Sequence, residues 1–158
     1  MARKEIIDGK ETWVFRKGAT RAYPANHFSL KDTPFYETGH PILLPGNCVD
    51  GSLVMVAQPG AEKTCYSINH GAGRPMSRTK AKATFTQEDV NKSLDDRDIL
   101  INCRNVPIDE SQGAYKDFRE VTNSVIEAGL ASTVAWLRPM AVIKAEEMKR
   151  RKKKKKKG

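Results

Sequence analysis

Near its middle, the chain reads Ser67-Ile68-Asn69-His70-Gly71-Ala72-Gly73-Arg74-Pro75-Met76-Ser77-Arg78, a segment in which a predicted strand gives way to a predicted helix. A β-prone segment from Thr64 to Ile68 runs into it, and two closely spaced glycines then interrupt the pattern. Pro75 suits the first position of a helix because that position needs no backbone N–H donor. We therefore predict a strand, a glycine loop and a helix from Pro75 to about Ala83.

The chain before this stretch predicts short strands and one long connection. Residues 4–16 predict a hairpin around Asp8-Gly9, a pair that accepts the positive φ of a tight turn. The segment from Gly18 to Gly51 carries four prolines and predicts a long irregular connection. Only the apolar run Ile42-Leu43-Leu44 interrupts that connection.

A pair of strands is expected next. Leu53 to Ala57 is a continuous apolar run of strand length, and Pro59-Gly60 is typical of a turn. The sequence therefore predicts that this run pairs with Thr64 to Ile68.

The second half of the chain predicts alternating helices and strands. Thr86, with an aspartate three residues on, suits the N-cap of a short helix. The remaining predictions are a buried strand from Ile99 to Cys103, an amphipathic helix over Lys116 to Ala128 that stops at Gly129, and a last β-branched element from Thr133 to Ile143. Because no repeat or regular βαβ pattern is present, the expected class is α+β, with mixed sheets and packed helices.

Charge divides the chain into two parts. Residues Lys149 to Lys157 are nine of its 28 basic residues, so residues 1–148 carry 19 basic and 19 acidic side chains. A neutral body of this composition predicts one folded domain over residues 1–148. Residues 149–158 are expected to form a disordered polybasic tail that binds RNA without specificity, although a solvated tail without a role fits equally well.

Composition also bears on location and metal binding. No apolar run is long enough to span a membrane and no signal peptide is recognisable, so we expect a cytoplasmic protein with no membrane contact. Cys48, Cys65 and Cys103 lack the spacing of a zinc site. They are interpreted as reduced, mostly buried thiols, and no metal site is predicted.

His70 is the candidate nucleophile. It opens a loop whose glycines let backbone N–H groups approach a ligand closely. Arg74 and Arg78 follow four and eight residues later, so both guanidinium groups are expected to converge with the helix N-terminus on one anion. An imidazole can attack phosphorus and form a labile phosphoramidate. From the residues alone, a histidine that caps a turn beside solvated arginines fits equally well.

This loop resembles the signature of the RtcB-type RNA-splicing ligases. Three further blocks agree with that family in the same order, namely Arg16-Lys17-Gly18-Ala19-Thr20-Arg21-Ala22, Gly113-Ala114-Tyr115-Lys116-Asp117 and Leu137-Arg138-Pro139-Met140-Ala141-Val142-Ile143-Lys144. The similarity covers residues 1 to about 144 and corresponds to the C-terminal portion of the family's chain. It implies a ligase, dependent on GTP and manganese, that joins RNA 3′-phosphate or 2′,3′-cyclic phosphate ends to 5′-hydroxyl ends in tRNA splicing or RNA repair.

The resemblance also implies roles for single residues. His70 matches the histidine that becomes guanylylated, and Arg74 and Arg78 match arginines that bind phosphate. The other implied nucleotide contacts are Asn69, Gly71, Ala72 and Gly73 in the loop, Ser52 near the guanine edge, Tyr115 as a wall of the base pocket and Lys144 on the guanine. Lys17 is implied as a contact to the RNA backbone.

Simpler interpretations stand beside these roles. Without the resemblance, Ser52 is merely the first residue of a strand, Tyr115 packs at the edge of the core, and Lys144 is a surface charge. His27 and His40 lie in the proline-rich segment and match no ligand of the family, so both are interpreted as structural.

The resemblance places the manganese ligands of the family before the Arg16 block, and so outside this chain. We therefore expect the chain alone to be inactive, and a partner that carries the N-terminal half of a split ligase to complete it. Two other interpretations remain open. In the first, the chain is a non-catalytic module that binds RNA or a guanine nucleotide. In the second, it is an inactive truncated remnant.

Overall fold

The computed structural model describes residues 2–102 and 106–144. These residues form the expected α+β fold, with strands β1 Ala2–Ile7, β2 Lys10–Phe15, β3 Ala19–Arg21, β4 Pro41–Pro45, β5 Ser52–Ala57, β6 Ser67–Asn69, β7 Leu100–Ile101, β8 Ala131–Leu137 and β9 Ala141–Val142. The α-helices are α1 Arg78–Thr84, α2 Gln87–Asp95 and α3 Phe118–Glu127. Short 3-10 helices lie at Phe28–Leu30, Pro59–Thr64, Ile108–Glu110 and Gln112–Ala114. Cys103 and the predicted tail at 149–158 lie outside the described residues.

The predicted N-terminal hairpin is confirmed. Strands β1 and β2 pair antiparallel, and the turn residues Asp8 and Gly9 have φ values of 50° and 73°. On the inner side, the buried carboxylate of Glu5 accepts two hydrogen bonds of 2.6 Å from Arg16 and one of 3.0 Å from Arg21. The hydrogen bonds from Arg16 hold the pKa of Glu5 below its ordinary value, although burial acts to raise that pKa. Salt bridges from Glu5 to Arg16 and Arg21 therefore hold the hairpin against the segment that follows it.

A three-stranded antiparallel sheet, in the order β4-β5-β8, carries the main core. Buried residues alternate with more exposed ones along β4 and β5, as expected when one face of a sheet packs against a core. The buried side chains of Ile42, Leu44, Leu53 and Met55 form this core together with Phe118 of α3. The apolar run predicted at 42–44 is therefore the centre of β4. The long connection around it is less irregular than predicted, because it also holds β3 and a 3-10 helix.

The predicted pairing of Leu53–Ala57 with Thr64–Ile68 is wrong. Residues Pro59–Thr64 form a 3-10 helix instead of a turn, and β6 pairs with β3. Gly60 packs so closely on the backbone of Gly129 that a Cβ atom at Gly60 would lie 2.3 Å from its carbonyl oxygen. The partners of β5 are β4 and β8 instead.

The helix predicted from Pro75 begins three residues later. The N-cap of α1 is Ser77, whose hydroxyl accepts the N–H of Lys80, and α1 ends at Thr84. Before this cap, the carbonyl of Gly73 accepts a hydrogen bond from the N–H of Lys116, at 3.1 Å. Arg74 therefore precedes the helix, and Arg78 is the first helical residue.

The later elements follow the predictions more closely. Thr86 and Asp89 form a capping box at the start of α2, and Asp117 caps α3. Gly129, with φ +69°, ends that helix as predicted. The strand predicted from Ile99 is only two residues long, and Leu100 is exposed.

A smaller hydrophobic core lies between α2 and β9. Its buried residues are Val49, Val90, Leu94, Ile99, Val106 and Val142. The parallel pair β7 and β9 closes this part. None of the described helices is long and apolar enough to cross a membrane.

His27 and His40 belong to an aromatic cluster around Tyr23. The ring centroids of Tyr23 and His27 lie 4.2 Å apart, and those of Tyr23 and His40 lie 5.4 Å apart. The Nδ1 atom of His27 accepts the N–H of Ser29, and the Nδ1 atom of His40 accepts the N–H of Tyr23. Burial lowers the pKa of both imidazoles. Of the predicted buried thiols, Cys48 is half-buried, but Cys65 is exposed.

We expect Gly51→Ala to destabilise the protein far more than Gly9→Ala. Both glycines have positive φ, so each alanine adds about 1 kcal/mol of backbone strain. A Cβ atom at Gly51 would lie 2.2 Å from the carbonyl oxygen of Leu137, whereas a Cβ atom at Gly9 would meet nothing within 4 Å. Urea unfolding should therefore show a loss above about 3 kcal/mol for Gly51→Ala only. Equal losses would contradict the close packing of β5 on β8.

We also expect the free energy of unfolding to fall as the pH drops below the ordinary histidine pKa of 6.5. The folded state lowers the pKa of His27 and His40, so the unfolded chain binds protons more tightly than the folded chain does. Protonation of these two imidazoles on acidification therefore favours unfolding. Urea midpoints measured between about pH 8 and pH 5.5 test this. His40→Asn retains an acceptor near the Tyr23 N–H without titrating, so this variant should show a flatter profile.

Candidate functional site

His70 directly follows β6 and its side chain is exposed. Its backbone N–H donates to the carbonyl of Gly18, at 3.4 Å. A Cβ atom built on Gly18 would lie 4.0 Å from the Nε2 atom of His70, so the segment between β2 and β3 lies beside the imidazole. Lys17, also exposed, is in that segment. The structure thus brings two predicted residues, His70 and Lys17, to neighbouring positions.

The rest of the glycine loop is fixed through its backbone. The N–H of Ala72 donates to the carbonyl of Pro45 at 3.1 Å, and the side-chain amide of Asn69 donates to the carbonyl of Gly71 at 3.1 Å. Gly73 has φ +76°, which a residue with a side chain adopts only with strain. Pro45 pairs with Ser52 across β4 and β5. Ser52 therefore lies at the end of the sheet on which the loop docks.

Arg74 lies against Tyr115. Its guanidinium carbon is 4.8 Å from the centre of the phenol ring, and its Nη1 atom is 3.3 Å from the hydroxyl oxygen. The Nη2 atom is buried and has no hydrogen-bond partner among the described residues. A buried cationic N–H group without an acceptor is costly, so this position favours an anionic ligand.

Arg78 is bound by the protein's own carboxylates. Its Nη1 atom contacts the buried carboxylate of Asp109 and lies 3.2 Å from the Oε1 atom of Glu110. Burial acts to raise the pKa of Asp109, but the hydrogen bonds from Arg78 and Lys82 outweigh it and hold that pKa below its ordinary value. Arg78 thus binds Glu110, and Arg74 contacts Tyr115, whose hydroxyl donates to the same carboxylate. The convergence of both guanidinium groups on one anion stays a prediction.

Glu110 lies at the centre of a polar cluster that it forms with Arg78, Tyr115 and Lys144. The hydroxyl of Tyr115 donates to its Oε2 atom at 2.9 Å, and the ammonium of Lys144 lies 3.8 Å from the same oxygen. Burial raises the pKa of Tyr115, and the hydrogen bond to Glu110 raises it further. Two predicted residues, Tyr115 and Lys144, are therefore brought together by a carboxylate that the sequence analysis did not select.

Cys48 lies close enough to Lys144 and Glu110 for their charges to affect its thiol. Burial is the dominant influence and raises the pKa of Cys48. The thiol is therefore held in its neutral form at neutral pH, which argues against a nucleophilic role.

Glu110 and Asp109 were missed because they sit in a short 3-10 helix without periodicity. The only signal was the adjacent pair of acidic residues five and six positions before Tyr115, and such pairs are usually solvated. Among residues 2–102 and 106–144, no group of three or more His, Cys, Asp or Glu side chains is placed to hold a metal ion. Manganese therefore has no fitting site within the described residues.

We expect Glu110→Gln to lower the pKa of Tyr115 while leaving it above the ordinary value for tyrosine, because burial remains. NMR titration of 13Cζ-labelled tyrosine measures this directly. Glu62→Gln is the matched control, since Glu62 acts on Tyr66 and should shift only that residue. An unchanged Tyr115 in Glu110→Gln would contradict the hydrogen bond between them.

Comparison with known proteins identifies the family of this chain. Residues 1–145 match the profile of the family described as tRNA-splicing ligase RtcB. Relatives named tRNA-splicing ligase RtcB are 40% identical in Methanopyrus kandleri, 38% in Nanoarchaeum equitans and 35% in Methanococcus maripaludis, over 89%, 89% and 91% of this chain. The chain spans only 15%, 30% and 31% of the length of these relatives. On the match over residues 1–145, the chain belongs to the RtcB family of tRNA-splicing ligases.

Proposed function

We propose that this chain carries the guanylate-accepting part of a GTP-dependent RNA ligase. In the proposed reaction, a nitrogen of His70 attacks the α-phosphorus of GTP, a nitrogen–phosphorus bond forms and pyrophosphate leaves. The guanylate then passes to an oxygen of the RNA 3′-phosphate, so the nitrogen–phosphorus bond breaks and a phosphoanhydride forms; a 2′,3′-cyclic phosphate is first opened to the 3′-phosphate by water. The 5′-hydroxyl oxygen attacks the activated 3′-phosphate, a phosphodiester bond forms and GMP leaves. The reaction would serve tRNA splicing or RNA repair.

The observation that carries the proposal is the buried, unpartnered Nη2 atom of Arg74, four residues after the exposed His70. A phosphate oxygen would satisfy that donor with a charge-assisted hydrogen bond. The small residues Gly71, Ala72 and Gly73 leave room for a ligand to approach the backbone between the two side chains. Nucleophile and anion contact are thus close together in the chain.

Base recognition is proposed for the cluster around Glu110. The O6 atom of guanine would compete with Glu110 for the ammonium of Lys144, which is one-third exposed. The ring of Tyr115 offers a stacking surface, but Arg74 covers one side of it. Ser52 completes the proposed set from the end of β5, although no contact links its side chain to the cluster within the described residues.

The metal ligands must come from outside the described residues, because these residues hold no fitting cluster. We propose that a partner segment corresponding to the N-terminal part of the relatives supplies the manganese site. That proposal fits the short span that the chain covers in those relatives.

Guanylylation in trans tests the proposal. The full chain is incubated with labelled GTP and manganese, alone and with the N-terminal part of the Nanoarchaeum equitans relative. We expect label on this chain only in the mixture, with the acid-labile, alkali-stable character of a phosphoramidate, and none with His70→Ala. Absence of label in every mixture would overturn the proposal, and label on the chain alone would overturn the partner requirement.

Arg74→Lys should reduce this labelling by about 10-fold or more, because lysine keeps the charge but lacks the planar pair of donors. Arg3→Lys, on the exposed edge of β1, is the matched control and should label normally. If Arg74→Lys labels as fast as the unchanged chain, Arg74 does not contact phosphate.

The alternative function is a non-catalytic module that binds RNA or a guanine nucleotide. It is favoured by the pairing of Arg78 with Asp109 and Glu110, which leaves this arginine less available for phosphate. Saturable binding of GTP by the chain, with no covalent label in the presence of the partner segment, would support this alternative.

A further inference from the structure

A cavity of about 830 Å³ adjoins the glycine loop and is not explained by the proposed guanylate site. Tyr115 and Lys116 belong to its wall and also contact the loop. The ring of Tyr115 packs against the guanidinium of Arg74, and the N–H of Lys116 donates to the carbonyl of Gly73. Of the site residues predicted from the sequence, only Tyr115 is among the described residues that line it. A volume of this size is sufficient for nucleotide-sized ligands.

The wall of the cavity carries excess positive charge. It contains four basic side chains, those of Arg97, Lys116, Arg119 and Arg138, against the carboxylates of Asp50 and Asp117. Both carboxylates are already hydrogen-bonded, Asp50 to side-chain amides and Asp117 to the backbone of α3. Within the described part of the chain, the side chains of Arg97, Lys116 and Arg138 form no ion pair or hydrogen bond. Three cations are therefore available to an anionic ligand.

The three available cations come from separate segments. Arg97 follows α2, Lys116 precedes α3 and Arg138 follows β8. The N-terminus of α3 is occupied by Asp117, so the side chains are the groups that can bind an anion here. Cations on three segments around one cavity suit a chain of phosphates better than a single phosphate.

An aromatic platform lies in the same wall. Trp136 is 41% exposed, and its indole N–H donates to the carbonyl of Asp50 at 2.9 Å. The ring of Phe118 meets it edge-on at 5.6 Å, and the guanidinium of Arg119 lies 5.3 Å from its centre. These contacts fix the indole, and both an indole and a stacked guanidinium can bind the face of an unpaired base.

We propose that this cavity binds single-stranded RNA next to the RNA end that reacts with the guanylate on His70. One base stacks on the platform of Trp136 and Arg119, and Arg97, Lys116 and Arg138 bind the backbone phosphates. The placement next to the reacting RNA end rests on the proposed ligase function. A single strand is favoured because the platform needs an unstacked base, and an acidic peptide would leave the platform unused.

Fluorescence of Trp136 provides the test. In the full chain with Trp13→Phe, Trp136 is the one remaining tryptophan, and Trp13 lies on the hairpin outside this cavity. An oligoribonucleotide of about ten residues should quench it saturably at about 150 mM salt, without GTP or manganese. Quenching by GTP with equal affinity would overturn the assignment to RNA, and equal quenching by a polyglutamate peptide would overturn the stacking of a base.

Two matched variants test the charge. Arg138→Gln should weaken binding of the oligonucleotide about 5-fold and lower the slope of log affinity against log salt by about 0.7. Lys63→Gln removes one charge from an exposed residue outside the cavity and should change neither quantity. The basic residues 149–157 are present in every variant, so their contribution cancels.

A second substitution removes the platform. Trp136→Leu, measured by anisotropy of a labelled oligonucleotide, should weaken binding about 5- to 100-fold, and circular dichroism checks its folding. Unchanged binding in both Arg138→Gln and Trp136→Leu would overturn the cavity as the RNA site. That outcome is separable from failure of the ligase proposal, because binding needs no guanylylation, whereas labelling of His70 needs no RNA.

Discussion

The position of His70 depends on three backbone hydrogen bonds that tie the glycine loop to three remote segments. The N–H groups of His70 and Ala72 donate to the carbonyls of Gly18 and Pro45, and the carbonyl of Gly73 accepts from Lys116. None of these bonds uses a side chain of the loop. The loop can therefore present His70 and Arg74 to a ligand while its backbone is held, but it takes this shape only when all three segments are in place.

The polar residues around the loop are balanced with one exception. Glu110 binds the hydroxyl of Tyr115 and the cationic groups of Arg78 and Lys144, so these charges are compensated inside the protein. The Nη2 atom of Arg74 is the buried side-chain group left without a partner among the described residues. A site built this way has one strong attraction for an anion, and its other cations become available only if Glu110 moves or is displaced.

Local signals were predictable from the sequence, and long-range contacts were not. The hairpin at Asp8-Gly9 and the capping box at Thr86 each depend on a few adjacent residues, and both were predicted. The start of α1 was mispredicted because Pro75 and Ser77 both suit a helix start, and the hydroxyl of Ser77 is the cap that forms. The pairing of β6 with β3 rests on three residues in each strand, which is too short for a recognisable pattern. Glu110 could not be selected because its importance comes entirely from residues that folding brings to it.

The attachment of the N-terminal hairpin by Glu5 also affects the segment that binds the backbone of His70. Much of β2 faces solvent, so the hairpin is retained more by the carboxylate bonded to Arg16 and Arg21 than by apolar contact. Because the pKa of Glu5 is lowered in the folded state, this attachment is intact above its ordinary value of 4.5 and weakens in more acidic solution. Arg16 immediately precedes the segment whose Gly18 carbonyl holds His70. Local opening of the hairpin, the kind of partial unfolding that hydrogen exchange detects, would thus loosen the segment that binds the backbone of His70 while the central sheet stays folded.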